Sequence, residues 1–164
     1  MTIRNVLFIC TGNSGGSLIA EALVTVLGKG KFKGFSAGTR AAGLINPYAL
    51  EQIRKIGYPL ENLRSKSVNE FASLNAPQID YVITVCDYAA AELCPVWTGN
   101  PLSGHWRVER ALAMAGSHEE KRASFEKLFN QLHARVEAFV RLPHQSTDRH
   151  ALQQATKSID DMLA

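Results

Sequence analysis

The 164-residue chain lacks any long hydrophobic run, and this limits where it can act. Its longest uninterrupted apolar stretch is Val6 to Cys10, far short of the roughly 20 residues that a membrane-spanning helix needs. The residues before it carry neither the apolar segment nor the small-residue cleavage site of a secretory signal. We therefore expect a cytoplasmic protein with no membrane partner.

The chain also has only a small excess of positive over negative charge. The 18 Lys and Arg residues against 15 Asp and Glu residues give a net charge of +3, too small and too scattered for a nucleic-acid surface. The stretch from Gly12 to Ser17 lacks the lysine of a Walker loop, and no dinucleotide-binding fingerprint occurs. We expect no nucleic-acid partner and no cofactor.

The chain has only 3 cysteines, an odd number that does not build a disulfide framework. Its 5 histidines show no spacing typical of a metal site, so we expect no bound metal. The thiols are therefore catalytic, redox-active or simply buried. The residues around each cysteine must distinguish among these three possibilities.

An alternation of strand-like and helix-like segments, on an ordinary globular composition of 46% apolar and 20% charged residues, predicts an α/β domain. Strands are predicted at Asn5–Ile9, Lys31–Ala37 and Asp80–Val85, with a short fourth strand near Val96. Helices are predicted from Ile19 to Gly28, from Asn46–Pro47 to Gly57, over Ser67–Phe71, and from the capping pair Ser117 and Glu120 to Pro143.

The last twenty residues are polar, with apolar positions at only loosely helical spacing. We therefore expect one domain over residues 1–143, followed by an exposed appendage over residues 144–164 in which a short helix would fit.

Cys10 stands where the first predicted strand ends, directly before a glycine-containing loop and a helix. Loop amides and a helix N-terminus lower the pKa of a thiol there and bind a tetrahedral oxyanion. An isolated cysteine at a strand end is more commonly a small buried residue, so the neighbouring sequence has to decide.

That neighbouring sequence, from Val6 to Ser14 with Ser17 after it, resembles the phosphate loop of low-molecular-weight protein tyrosine phosphatases. It is more similar still to the loop of the related thioredoxin-coupled arsenate reductases. The resemblance covers residues 3–142 through short motifs in the same order. These are Phe35–Thr39, Asn46–Pro47, Leu63–Ser67, Val82–Asp87, Cys94–Trp97 and His105–Trp106.

The resemblance implies a three-layer α/β fold, in which a four-stranded parallel sheet carries helices on both faces and the active loop follows the first strand. Cys10 would be the nucleophile. Asn13 would hold the loop in its strained shape within one hydrogen-bond network with Ser17 and Ser36, and the Ser17 hydroxyl would donate to the thiolate. The anion-binding loop would comprise Thr11, Gly12, Asn13, Ser14, Gly15, Gly16 and Ser17.

Cys86 and Cys94 match, in order and spacing, the two further cysteines of the reductases. The resemblance implies attack by Cys10 on arsenate, release of arsenite as Cys86 attacks, and a Cys86–Cys94 disulfide that thioredoxin or a similar dithiol reduces. The alternative for both residues is an inert buried thiol.

The chain departs from the family at two positions. Gly16 stands where the family has an arginine that grips two oxygens of the anion. The Asp-Pro pair that supplies the general acid is absent after Trp106. Arg107 or Arg110 could replace the guanidinium and Glu109 the acid, although a solvated charged loop is the favoured interpretation of these three residues.

Two main hypotheses follow. The first is an arsenate reductase whose activity is impaired by Gly16 and by the missing acid. The second is a catalytically degenerate relative that binds a partner or a small anion such as arsenate or phosphate. A thiol-disulfide protein without oxyanion chemistry is a third, and tyrosine phosphatase activity, which would need both missing groups, is not expected.

Overall fold

The structure is a computed structural model that describes residues 2–85, 97, 99–108 and 116–163. The strands are β1 (Arg4–Cys10), β2 (Phe32–Gly38), β3 (Tyr81–Thr84) and β4 (Leu102–His105). They form one parallel sheet in the order β2-β1-β3-β4. The fourth strand follows Pro101, and the strand predicted near Val96 falls outside the described residues.

The helices begin where their capping residues predict. Asn46 accepts a hydrogen bond from the Tyr48 amide at 2.9 Å, and Ser117 accepts one from the Glu120 amide at 3.2 Å. Among the described residues, no helix has the length and apolarity to cross a membrane. The helices are α1 (Gly16–Leu27), α2 (Pro47–Lys55), a 3-10 helix (Val68–Phe71), α3 (His118–Val140) and α4 (Arg149–Met162).

Strand β1 is the centre of the molecule, since Val6, Leu7, Phe8 and Ile9 have no exposed surface. Alternate side chains enter two cores, which explains why the strand reads as an unbroken apolar run. The larger core lies against α1 and α3. The smaller one, on the opposite face, includes the 3-10 helix, so both faces of the sheet are covered as expected.

Helix α4 covers strand β4 instead of extending into solvent. The Gln153 amide accepts a hydrogen bond from the Ser103 backbone N–H at 2.9 Å and donates one to its carbonyl at 2.7 Å, much as a neighbouring strand would. Ile159, 2% exposed, belongs to the larger core. The expected exposure of this segment is therefore wrong, while the domain boundary at residue 143 stays a prediction.

Close contact between β2 and α1 fixes the position of the α1 N-terminus. A Cβ atom on Gly34 would lie 2.2 Å from the Glu21 carbonyl oxygen, a backbone atom that cannot rotate away. Gly34→Ala is therefore expected to lower the free energy of unfolding by about 1–3 kcal/mol. In urea titrations Gly12→Ala is the control, since its Cβ would meet the flexible Ser14 hydroxyl at 3.4 Å. Equal midpoints for the two variants would contradict this packing.

Candidate active site

The candidate site lies at the carboxyl end of β1, where Cys10 is the last strand residue and is 9% exposed. Residues 11–15 form a loop that leads into α1 at Gly16. Cys10 pairs with Gly38 of β2, so the carboxyl ends of parallel strands meet around the thiol. This is the edge of an open α/β sheet at which ligands bind.

Asn13 and Ser17 form hydrogen bonds with the Cys10 sulfur. The Asn13 backbone N–H lies 3.1 Å from Sγ, and the Ser17 hydroxyl lies 2.8 Å from it. The Ser17 oxygen accepts a bond from Asn13 Nδ2 at 2.8 Å. A thiolate has no hydrogen to donate, so when Cys10 is ionised the Ser17 hydroxyl is the donor to the sulfur. Both bonds favour the thiolate over the thiol, because a negatively charged sulfur is the stronger acceptor.

Asn13 holds the loop through its buried side chain. Its backbone has φ of 47°, in the left-handed region that asparagine tolerates better than most residues. One end of its amide donates to Ser17, and the Oδ1 atom at the other end accepts from the Lys66 backbone N–H at 2.8 Å. The side chain thus joins the loop, the first turn of α1 and the segment after residue 63.

The carbonyl groups of the loop are turned outward. These carbonyl oxygens accept hydrogen bonds from backbone N–H groups of a segment that follows β2. A trans peptide holds its C=O and N–H in opposite directions, so the amides of residues 11, 12, 13 and 15 face away from that segment. This is the arrangement of a backbone anion cup. The bonds run from Thr39 to Cys10 (3.1 Å), Arg40 to Thr11 (2.9 Å), Ala42 to Gly12 (2.8 Å) and Asn46 to Ser14 (2.8 Å).

Glycine is required at the end of β2, where the loop crosses over the strand. A Cβ on Gly38 would lie 2.6 Å from the Thr11 oxygen and 3.0 Å from the Asn13 backbone nitrogen. Any side chain there would displace the loop, because both contacts are with backbone atoms. Gly38 therefore belongs to the architecture of the site, although it carries no functional group.

The two glycines at the start of α1 lie against α3. A Cβ on Gly15 would lie 3.2 Å from the Phe125 ring, whereas a Cβ on Gly16 would make ordinary contacts of 3.8 and 3.9 Å with Leu128. Gly15 provides no side-chain cap for the helix. The space next to position 15 is thus filled by an aromatic ring, while position 16 has room for the first atom of a side chain.

A buried ionic cluster lies behind the loop. Glu21 accepts hydrogen bonds from Ser36 at 2.7 Å and from Tyr58 at 2.9 Å, and the Lys66 ammonium lies 3.8 Å from its carboxylate. Burial raises the pKa of Glu21, while these three neighbours act in the opposite direction. Burial also lowers the pKa of Lys66 and, with Glu21, raises that of Tyr58.

Ser36 belongs to this cluster, because its hydroxyl donates to Glu21. Lys66 links the cluster to Asn13, since its ammonium lies beside Glu21 and its backbone N–H donates to Asn13 Oδ1. The supporting role expected for Ser36 stays a prediction. The sequence analysis missed Glu21 and Lys66. The signal for Glu21 was an acidic residue on the buried side of an otherwise apolar helix.

Among the described residues, Arg107 contacts helix α4 and not the Cys10 loop. Its backbone N–H donates to the Asp160 carboxylate at 2.8 Å, and its Nε lies 3.8 Å from the same group on α4. Cys86, Cys94, Glu109 and Arg110 fall outside the described residues. The relay and the proposed substitutes for the missing groups therefore stay predictions. No cluster of three His, Cys, Asp or Glu side chains suited to a metal occurs in the part of the chain that is described.

Comparison with known sequences finds relatives among low molecular weight phosphatases and arsenate reductases. The profile of the low molecular weight phosphotyrosine protein phosphatase family matches residues 5–155. The arsenate reductase of Bacillus subtilis is 31% identical over 139 residues, which is 85% of this chain and 96% of that protein.

Comparison with solved structures agrees. An arsenate reductase in its phosphate-binding state superimposes with a TM-score of 0.66 at 25% identity, covering 84% of this chain and 97% of the other. A thioredoxin-dependent arsenate reductase from Corynebacterium glutamicum gives a TM-score of 0.57 at 24% identity, covering 82% of this chain and 58% of that one. At 24% identity, the second comparison shows only that the two proteins share a fold.

Proposed function

The chain belongs to the low molecular weight phosphotyrosine protein phosphatase family, in its arsenate reductase branch, and from that premise we propose that it reduces arsenate to arsenite with Cys10 as the nucleophile. The observation that carries the proposal is the Cys10 sulfur, which receives hydrogen bonds from Asn13 and Ser17 inside a loop with outward carbonyls. Such a site combines a thiolate with a binding place for a tetrahedral oxyanion.

The proposed reaction has three sulfur steps. The Cys10 thiolate attacks the arsenic of arsenate, and an oxygen leaves as water after protonation. Cys86 then attacks the Cys10 sulfur, so that the sulfur–arsenic electron pair leaves with the arsenic as arsenite. Cys94 attacks Cys86 and frees Cys10, which leaves a Cys86–Cys94 disulfide.

An external dithiol closes the cycle by reducing that disulfide, and thioredoxin is the partner that we propose. The order and spacing of Cys86 and Cys94 support this relay, as does the thioredoxin dependence named for the Corynebacterium glutamicum protein of the same fold. No cofactor enters these steps, since each electron pair moves between sulfur and arsenic.

We further propose that turnover is slow. Gly16 provides no guanidinium for the anion, and losing one partner of such a charge pair costs about 2–5 kcal/mol, or roughly 30- to 5,000-fold. Phosphate and arsenate share their geometry and charge, so the same loop should bind both anions. A protein that only binds such an anion is the second candidate, and the same Gly16 favours it.

The test is arsenate-dependent consumption of NADPH in a mixture with thioredoxin and thioredoxin reductase. We expect slow turnover by the unmodified protein and a complete loss in Cys10→Ser, because serine at this position is a poor nucleophile. Cys86→Ser should stop after one covalent event, and mass spectrometry of trapped thiols should then find no disulfide at Cys94. Turnover that survives in Cys10→Ser refutes the mechanism, and anion binding without any turnover selects the second candidate.

A further inference from the structure

Lys66 joins the thiol loop, strand β2 and helix α1 at one point. Its backbone N–H donates to Asn13 Oδ1 at 2.8 Å, and its carbonyl accepts a hydrogen bond from the Gly38 N–H at 2.8 Å. Its ammonium donates to the Arg64 carbonyl at 2.9 Å and lies 3.8 Å from the carboxylate of Glu21, in the second turn of α1. The main chain of Lys66 thus holds the loop, while its side chain holds the helix.

The ion pair between Glu21 and Lys66 is withdrawn from water, since the two side chains are only 9% and 10% exposed. Ser36 and Tyr58 donate to the two carboxylate oxygens of Glu21, at 2.7 and 2.9 Å. Separating a buried pair is costly, because it leaves a charge without a partner in a place that water does not reach. The pair therefore fixes the distance between α1 and the segment that carries Lys66.

Both hydrogen bonds to the thiol depend on that distance. Asn13, which is bound by the Lys66 N–H, donates its own backbone N–H to the Cys10 sulfur at 3.1 Å. Ser17, whose hydroxyl lies 2.8 Å from the sulfur, is one turn before Glu21 on the same helix. A change in the ion pair would therefore alter both contacts of the sulfur.

We propose that the buried Glu21–Lys66 ion pair positions Asn13 and Ser17 around Cys10 and thereby sets the reactivity of this thiol. Glu21 and Lys66 are positioning residues, because they act on the sulfur through Asn13 and Ser17. The inference rests on the proposed function for the role of Cys10 as the nucleophile. It also gives a function to a carboxylate and an ammonium that are buried behind the loop.

Positioning and direct electrostatic action have opposite signs for Glu21. Removing a nearby negative charge would by itself favour the Cys10 thiolate and would move its alkylation to lower pH. Loosening the loop would take hydrogen bonds away from the thiolate and would move alkylation to higher pH. Glu21→Gln therefore distinguishes the two effects.

The test uses the full chain and follows the alkylation of Cys10 by iodoacetamide across pH, measured by peptide mass spectrometry. The variants are Glu21→Gln, Lys66→Met and Lys66→Arg, and urea unfolding records the stability of each one separately. Glu70→Gln is the matched control, since Glu70 also acts on Lys66 but forms an exposed ion pair with Arg64.

We expect Glu21→Gln and Lys66→Met both to move alkylation to higher pH and to slow it about tenfold at pH 7, the loss typical of one hydrogen bond to a charged group. Lys66→Arg should lose less, because the positive charge remains, and Glu70→Gln should match the unmodified protein. When Glu21→Gln and Lys66→Met are combined, the second substitution should add less than the first, because no buried charge is then left unpaired.

Three results would overturn the proposal. The first is alkylation that moves to lower pH in Glu21→Gln. The second is an unchanged pH dependence in both Glu21→Gln and Lys66→Met, even if urea unfolding shows that they are less stable, since the pair would then be structural only. The third is a Cys10 that iodoacetamide does not modify in the unmodified protein, because there would be no reactive thiol for the pair to position.

Tyr58→Phe is a milder variant that decides the question if either variant of the ion pair fails to fold. It removes one donor to Glu21 and keeps both charges. Alkylation of Cys10 should again move to higher pH, and an unchanged pH dependence in Tyr58→Phe would overturn the proposal in that case.

Failure of this inference and failure of the proposed function are separable, because alkylation needs neither arsenate nor a reductant. If arsenate is never reduced but Glu21→Gln still slows alkylation of Cys10, the positioning role stands and the reductase proposal fails. If arsenate is reduced and alkylation is the same in Glu21→Gln, Lys66→Met and the unmodified protein, only the role of the ion pair fails.

Discussion

Gly16→Arg is expected to raise the rate of arsenate reduction by about 30- to 5,000-fold. The estimate is the roughly 2–5 kcal/mol that one partner of a charge-assisted pair contributes, applied in the direction of gain. Gly16 is the first residue of α1, so the side chain would start beside the anion cup. A guanidinium there would oppose the negative charge that grows on the oxygens as the Cys10 sulfur attacks.

The fold should accept this substitution. The new Cβ would make only ordinary contacts, 3.8 Å to Leu128 and 4.0 Å to Val85, and a helical backbone suits any ordinary residue. The measurement is kcat and KM for arsenate in the thioredoxin-coupled assay, with phosphate binding as a second readout. A gain mainly in kcat would place the contact in the transition state, and a fall in KM alone would indicate uniform binding.

Gly16→Gln is the matched control, because glutamine extends a polar side chain of similar reach without a positive charge. Unchanged turnover in both variants would show that the guanidinium is not what limits this protein.

Asn13→Ala is expected to disable the loop and to destabilise the protein. It leaves the part-buried Lys66 N–H without its acceptor, which costs up to about 1–3 kcal/mol. It also places alanine at φ of 47°, at a further cost of about 1–2 kcal/mol. Ser17 loses the Nδ2 donor that directs its hydroxyl at Cys10, so alkylation of Cys10 should slow at neutral pH and phosphate binding should fall more than tenfold.

Asn100→Ala separates backbone strain from the lost contacts, since Asn100 is an exposed asparagine at φ of 50°. It should show the conformational cost alone and leave Cys10 reactivity unchanged. Urea unfolding and the alkylation rate measure the two effects. Equal destabilisation in both variants would mean that the Asn13 side chain contributes nothing beyond its tolerance of this backbone.

Local chemistry explains why much of the fold could be predicted. The run from Val6 to Ile9 is apolar throughout because both faces of β1 are buried, and this pattern is visible without a structure. The starts of α2 and α3 were predictable because Asn46 and Ser117 cap residues only two or three positions away. The same holds for the Cys10 loop, where Asn13 and Ser17 lie within seven residues of the thiol.

The amino-acid sequence by itself determined the sheet strands around β1, the helix starts and the glycine-containing loop after Cys10, because these depend on neighbouring residues. The missing arginine at Gly16 was identified through the resemblance to the family. The tertiary structure alone decided that α4 covers β4 through Gln153, that Ser36 binds Glu21, and that Arg40 lies beside Thr11. Each of these contacts joins residues that are 15 or more positions apart. Which residues meet in such contacts depends on how the helices and strands pack around the sheet, and this packing cannot be read from a local sequence pattern.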